Sequence, residues 1–277
     1  MRLKAVLQNR VTRTLFSPDR RDAKRRKAEH ARQTKGLPHI VEYFHDASDP
    51  YSHLMVQLLP DFATRYAVEL VVHIAPPPPD WAAPDRARLD AYARKDAERL
   101  AAKAGLTYTD PGQQPSRAQV DAANSDLLAA VEAGTFLETA FDIGARLWTG
   151  SDESREPASK MDDPVSAAGE RRASLGHYLG ATLFYAGEWY WGPDRLHFLE
   201  TRLQALTAGR ETTPLLPPPT ILSAAPSAVP ESSTELHWYL SFRCPYTGFV
   251  RDRVKLLADA YGADLKLRYV LPMVMRG

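Results

Sequence analysis

Two stretches of this chain carry the same order of apolar and polar positions. Each opens with a strand-length run of β-branched and aromatic residues, His39-Ile-Val-Glu-Tyr-Phe44 in the first and Leu236-His-Trp-Tyr-Leu240 in the second. A Pro-containing turn follows. Apolar residues then recur at spacings of three and four: Leu54, Leu58, Phe62 and Tyr66 in the first stretch, Val250, Val254, Leu257 and Tyr261 in the second. That spacing places them on one face of a helix. A second apolar run, Val68 to Ile74 or Leu265 to Leu271, closes each stretch. The pattern predicts two β-α-β units. Between them, Ala208 to Ser233 holds six prolines among Ser, Thr and Ala and reads as a semi-extended linker. The run Pro76 to Pro79 is expected to be rigid and extended, and 151–173 reads as a polar surface excursion.

The two units stay in register residue by residue. Asp49-Pro50-Tyr51-Ser52 matches Cys244-Pro245-Tyr246-Thr247 at an offset of 195 positions. At that offset Ala63, Tyr66, Leu70 and Pro77 recur as Ala258, Tyr261, Leu265 and Pro272. A repeat of this kind is expected of a duplicated domain. The motif falls where the first strand hands over to the helix, with Pro50 and Pro245 suited to the first helical position. Cys244, the only cysteine, is then expected at the helix cap. Free N–H groups and the positive end of the helix dipole stabilise a thiolate there. Thr247 is placed for its hydroxyl to reach back toward the sulfur. The competing reading is a small packed cysteine. Asp49 fills the same slot in the first unit, where aspartate caps well but does no thiol chemistry.

Strand, Ser/Cys-Pro-Tyr-Ser/Thr turn, helix and strand resemble the DsbA-like branch of the thioredoxin superfamily. Within it the chain is most similar to the group of 2-hydroxychromene-2-carboxylate isomerase and the kappa-class glutathione transferases. Further support comes from Asp90 to Leu106, from Thr135 to Gly150, and from Leu179 to Tyr185 with Trp191 to Leu196. They resemble two insertion helices and the closing hairpin and final helix. The resemblance implies an α/β chain with a thioredoxin-like fold and an inserted helical domain, followed by a partial second thioredoxin-like βαβ unit. The expected organisation is a basic helical arm at 1–36, a DsbA-like domain at 37–208 with its insertion at about 84–178, the linker at 209–233, and a truncated second domain at 234–277. The family's cis-proline before the third strand has no counterpart in Gly180-Ala181-Thr182, and the nucleophile slot of the first unit holds Asp49. Both departures point to a non-catalytic first domain.

Composition changes the picture only at the edges. Apolar residues make up 44% of the 277, ample for a core. No window approaches a membrane-spanning length, no signal peptide is evident, and one cysteine cannot form an internal disulfide; the expected compartment is cytoplasmic. Charge is segregated: residues 1–36 hold twelve Lys/Arg against three Asp/Glu, the remainder 23 against 31. The basic arm is expected to dock on the protein's own acidic surface, with an anionic membrane surface, another partner or nucleic acid as alternatives. The histidines form no metal-ligand spacing, so no metal is expected. His45, Asp46 and Ser48 read as a polar loop, Trp189-Tyr190-Trp191 as core packing, and Asp194 and Arg195 as helix-start and ion-pair residues.

Two functions from different classes follow. The first is a glutathione-dependent isomerase or transferase, or a thiol–disulfide oxidoreductase, with catalytic Cys244 and Thr247. Pro245, Tyr246, Asp49, Pro50, Tyr51 and Ser52 would support the motif. The resemblance implies glutathione as cosubstrate and an aromatic or unsaturated small molecule as substrate. The alternative is a pseudoenzyme: a thioredoxin-like scaffold with a protein partner.

Overall fold

The computed structural model describes residues 17–150, 162–207, 213–218, 234–242 and 244–270. The chain divides into two compact units, Met1–Pro218 and Pro219–Gly277.

The larger unit starts with helix α1 (Pro18–Thr34), whose first turn is capped by Ser17 accepting from the Arg20 N–H. None of its residues is buried. It is held instead by charge, through a two-pronged Arg25–Glu188 pair at 2.8 and 2.6 Å. Strand β1 (His39–His45) follows, then α2 (Pro50–Met55), α3 (Leu59–Arg65) and β2 (Val68–Ile74). Four helices come next: α4 (Arg86–Ala104), α5 (Arg117–Glu132), α6 (Phe136–Thr149) and α7 (Asp162–Ser174). Strands β3 (Thr182–Tyr185) and β4 (Glu188–Trp191) form a hairpin, and a 3-10 turn (Pro193–Arg195) leads into α8 (Leu196–Thr207).

The sheet order is β2-β1-β3-β4. β1 and β2 run parallel, with His39 opposite Val68 and His45 opposite Ile74. β3 is antiparallel to β1, with Phe44 opposite Thr182. The hairpin closes on Ala186 and Gly187, both at positive φ, the requirement of a tight two-residue turn whose twist matches its strands. β-α-β, inserted helices, then ββα in this sheet order is a thioredoxin-like fold carrying a helical insertion.

Side chains alternate across β1, and both faces are covered. Val41 and Tyr43 join the main core with Met55, Leu59, Phe62, Leu127, Ile143, Leu183 and Leu199. Phe44, on the opposite face, packs with Ala75 and Ala168 of α7. The segment 151–173, read from sequence as a surface excursion, therefore includes part of a helix that closes one face of the sheet. From that helix Arg171 reaches Glu42 at 2.7 Å and Arg172 is buried.

Two further expectations need correction. The first unit's helix is not continuous: it breaks between Met55 and Leu59. Pro60 has no N–H to donate and its ring crowds the preceding turn. The equivalent position in the second unit is Lys255, and there the helix runs unbroken. Nor is all of 209–233 a linker. Leu216 is buried and Leu215 packs against the main core. The Leu215 N–H donates to Glu200 (3.1 Å), a fully buried carboxyl that also accepts from the Tyr66 hydroxyl at 3.1 Å. Arg65 donates to the Thr213 carbonyl at 2.9 Å.

The smaller unit holds β5 (Glu235–Leu240), α9 (Pro245–Ala260) and β6 (Asp264–Tyr269). Its parallel pairing sets Glu235 opposite Asp264, the same register as Ile40 opposite Glu69 in the larger unit. Among its described residues only Leu240 and Ala258 are buried hydrophobics. Val6, Val11, Leu15 and Phe16 of the arm, and most of the linker, lie outside the described residues. No helix of the described residues is long and apolar enough to cross a membrane.

If 213–218 is part of the first unit's core, Leu216→Ala will lower its stability by about 2 kcal/mol, the small end of large-to-small core substitutions. Pro217→Ala, at an exposed neighbour, will change it little. Urea denaturation followed by tryptophan fluorescence reads this, since four of the five tryptophans lie in the larger unit. Equal midpoints for Leu216→Ala and the parent protein would restore the linker reading.

Candidate functional site

In the larger unit the motif is a tightly bonded turn. Asp49 caps α2 in an extended conformation (φ −99°, ψ 116°), with Oδ1 accepting from the Tyr51 N–H at 3.0 Å. Its own N–H donates to the Asp46 carbonyl at 3.0 Å. Pro50 takes the first helical position and is buried. The Ser52 hydroxyl is fully buried and accepts two backbone N–H groups, from Asp46 at 3.1 Å and from Ala181 at 3.0 Å. The second bond draws the loop before β3 onto the turn. The approach is close: a Cβ on Gly180 would lie 2.6 Å from the Asp46 Cβ and 2.9 Å from Asp49 Oδ2. Ala181 itself is buried at φ +50°, a left-handed conformation that costs a non-glycine residue energy. Tyr51 donates to Asp96 at 2.6 Å and meets the Trp191 ring edge-on at 6.2 Å.

Above this turn lies a cavity of about 770 Å³, lined by the motif, Pro76–Pro78, the insertion helices, Gly180 and Trp191. Asp46, Asp49 and Asp90 all face it. Asp46 is fixed by the Ser48 N–H (2.9 Å) and hydroxyl (2.6 Å). Asp49 is closely surrounded by protein and keeps its partial exposure through the cavity that it lines. Its pKa rises to about 8, chiefly because burial disfavours the charged form, then because Asp46 carries like charge; the Tyr51 N–H opposes this. At neutral pH Asp49 is therefore mostly a neutral carboxylic acid, able to donate a hydrogen bond or a proton. Arg172 lies within electrostatic reach of Asp46 and Asp49. It donates to the Pro76 carbonyl at 2.7 Å, while its Nε and Nη1 have no partner.

The neighbouring histidines are structural. Burial pushes His45 down to about 3 and His53 to about 4, so both are neutral. His45 faces the Tyr43 hydroxyl at 3.1 Å and His53 stacks on Phe141 at 5.3 Å. Within 45–48, read from sequence as a polar loop, His45 and Asp46 are buried. Trp189 and Tyr190 pack inside, against Phe44 and within the main core. Trp191 differs, since it lines the cavity.

In the smaller unit the turn repeats. Cys244 caps α9 at φ −91°, ψ 116°, and its N–H donates to the Ser241 carbonyl at 3.0 Å. The Thr247 hydroxyl accepts from the Ser241 N–H at 3.3 Å, as Ser52 does from Asp46. The sulfur makes no cap hydrogen bond of regular geometry. The Thr247 N–H, then the Tyr246 N–H and the Thr247 hydroxyl, nevertheless face it closely enough to hold the thiol below its ordinary pKa. Cys244 is half-buried and Tyr246 exposed; Pro245 occupies the first helical position. The eight motif residues thus form two sets, four in each unit.

The residues that complete the first cavity, Asp46, Asp90, Asn124 and Gly180, and Arg172 near its carboxyls, were not anticipated. Only Gly180 carried a local signal, a glycine before an apolar strand. Among the described residues no group of acidic, histidine or cysteine side chains converges as a metal site.

No protein-family model and no curated protein matches the chain. Among solved structures it is similar to 2-hydroxychromene-2-carboxylate isomerase, at 20% sequence identity, over 61% of this chain and 96% of that one, with a TM-score of 0.41.

The raised Asp49 pKa carries a pH signature. Unfolded, Asp49 ionises near 4; folded, it holds its proton up to about 8. Across that window the native state binds the extra proton, so stability falls as pH rises. Asp49→Asn keeps the cap and removes the titration. Between pH 5 and 8 the parent protein should lose about 1–3 kcal/mol relative to this variant, measured by parallel denaturation series. Parallel stability curves would show that Asp49 is ionised throughout.

Proposed function

We propose that the protein is a duplicated thioredoxin-fold protein whose thiol chemistry belongs to Cys244 and uses glutathione. The first unit is the non-catalytic copy, which has kept the cleft and lost the nucleophile. Duplication is supported by three coincidences at one offset of 195 residues: motif sequence, strand register and cap conformation.

The observation that carries the functional reading is the environment of the sulfur. Cys244 occupies the helix cap where the first unit places Asp49, with N–H groups toward it and its pKa lowered. A thiolate there attacks the glutathione sulfur of a substrate–glutathione mixed disulfide, forming a protein–glutathione mixed disulfide and releasing the substrate thiolate. A second glutathione thiolate then attacks the mixed disulfide, restoring the Cys244 thiolate and giving oxidised glutathione. With no second cysteine in the sequence, glutathione must serve as the resolving thiol. The isomerase variant of the reading uses the same helix terminus to hold a glutathione thiolate. That thiolate adds to an unsaturated or aromatic substrate, permits rotation about the former double bond, and leaves. The scaffold reading is favoured by one observation, the carboxyl of Asp49 in the nucleophile slot of the first unit.

Iodoacetamide alkylation across a pH series separates these readings. The thiol-enzyme reading expects a midpoint below the roughly 8.5 of a free cysteine. Thr247→Val should raise that midpoint and Thr247→Ser should restore it, because only the serine variant keeps a hydroxyl toward the sulfur. A midpoint at or above the free-cysteine value in folded protein would give precedence to the scaffold.

A further inference from the structure

We propose that the cavity of the first unit binds a small organic cation, an ammonium or guanidinium group on an apolar, ring-bearing body. The inference does not depend on the thiol chemistry of Cys244. At about 770 Å³ the cavity is within the range of small-molecule sites, and its polar groups are unevenly matched. Its two cationic side chains are already engaged. Arg86 donates to the Pro78 carbonyl (2.6 Å) and to Asp80 (3.1 Å). Arg117 pairs with Asp121 at 3.5 Å from an almost fully exposed position.

The acceptors are not matched in this way. Asp90 lines the cavity, is partly buried, and makes no hydrogen bond or ion pair among the described residues, with Arg86 and Arg94 only within electrostatic reach. Asp49 lines the same space, and its cap uses only Oδ1. An independent observation comes from α5. Asn124 is 7% exposed, lines the cavity, and its Oδ1 has no partner. A buried amide oxygen left unpaired is costly, and only a donor satisfies it. A cationic head brings several N–H donors and one positive charge, the complement of Asp90 and Asn124 together. The apolar body has Pro77, Leu89 and Trp191 to lie against. Asp90, which makes no ion pair, disfavours an anionic ligand there.

Tryptamine and indole-3-propionate share a ring system and differ in the sign of their terminal charge, so they make the test. Isothermal titration of the full chain at pH 7.5 and low salt should show tryptamine binding at least about tenfold more tightly than indole-3-propionate, with glutathione failing to compete. Asp90→Asn should weaken tryptamine by roughly tenfold, the scale of a charge-assisted hydrogen bond, without lowering the denaturation midpoint. Asn124→Leu, which removes the unpaired oxygen independently, should weaken it as well. The proposal is overturned if tryptamine does not bind at millimolar concentration, if indole-3-propionate binds as well, or if both variants bind tryptamine like the parent protein.

Discussion

A single hydroxyl organises the first unit's site. Ser52 Oγ accepts from the N–H of Asp46, just after β1, and from the N–H of Ala181, just before β3. Without it two buried backbone donors would be left unpaired, each at a cost of about 1–3 kcal/mol. The bond to Ala181 also brings Gly180 so close to Asp46 and Asp49 that no side chain fits there. That closeness excludes water from one side of the Asp49 carboxyl. Its raised pKa, its neutral state and the floor of the cavity follow from the same contact.

Much of this architecture is local and therefore legible in the chain. The strands and helices of the β-α-β units, the helix caps and the motif's place between strand and helix depend on residues near one another in the chain. Side-chain period and turn chemistry report such relations directly. What was not legible depends on contacts across long separations. Arg172 comes within electrostatic reach of Asp46 and Asp49 from a stretch that reads as polar surface, since one buried cation in a helix leaves no periodic trace. Asn124 and Asp90 sit on insertion helices whose rotation about their axes is set by packing. Leu215 and Leu216 looked like linker because prolines surround them, yet two leucines and the Glu200 carboxyl suffice to hold the segment. Pro60 interrupts the first unit's helix, and the unbroken helix over Lys255 shows what its absence permits.

The two motif turns form an internal comparison of how one backbone conformation serves different chemistry. Asp49 and Cys244 cap their helices with matching ψ and a difference of 8° in φ. The N–H groups at each cap favour negative charge. In the larger unit enclosure by Gly180, Ala181 and the neighbouring carboxylate overrides that preference, and the proton stays on. Around Cys244 no comparable enclosure exists among the described residues of its unit, so the N–H groups prevail and the thiol pKa falls. The cap sets the preferred sign of charge, and burial decides whether the group ionises.

The same balance explains how the fold tolerates the buried Arg172 near the first cavity's carboxyls. One guanidinium stands near two carboxyls, Asp46 and Asp49, so with one shared proton the three groups sum to zero charge. Groups this close titrate as a set. Asp46 is the better seat for the negative charge, because the N–H and hydroxyl of Ser48 both donate to it; Asp49, with one N–H at its cap, is the better seat for the proton. A second ionisation would leave net negative charge in a poorly solvated place, which burial opposes. A positive group entering the cavity reverses that penalty, because the charge that the fold suppresses at Asp49 then has a partner.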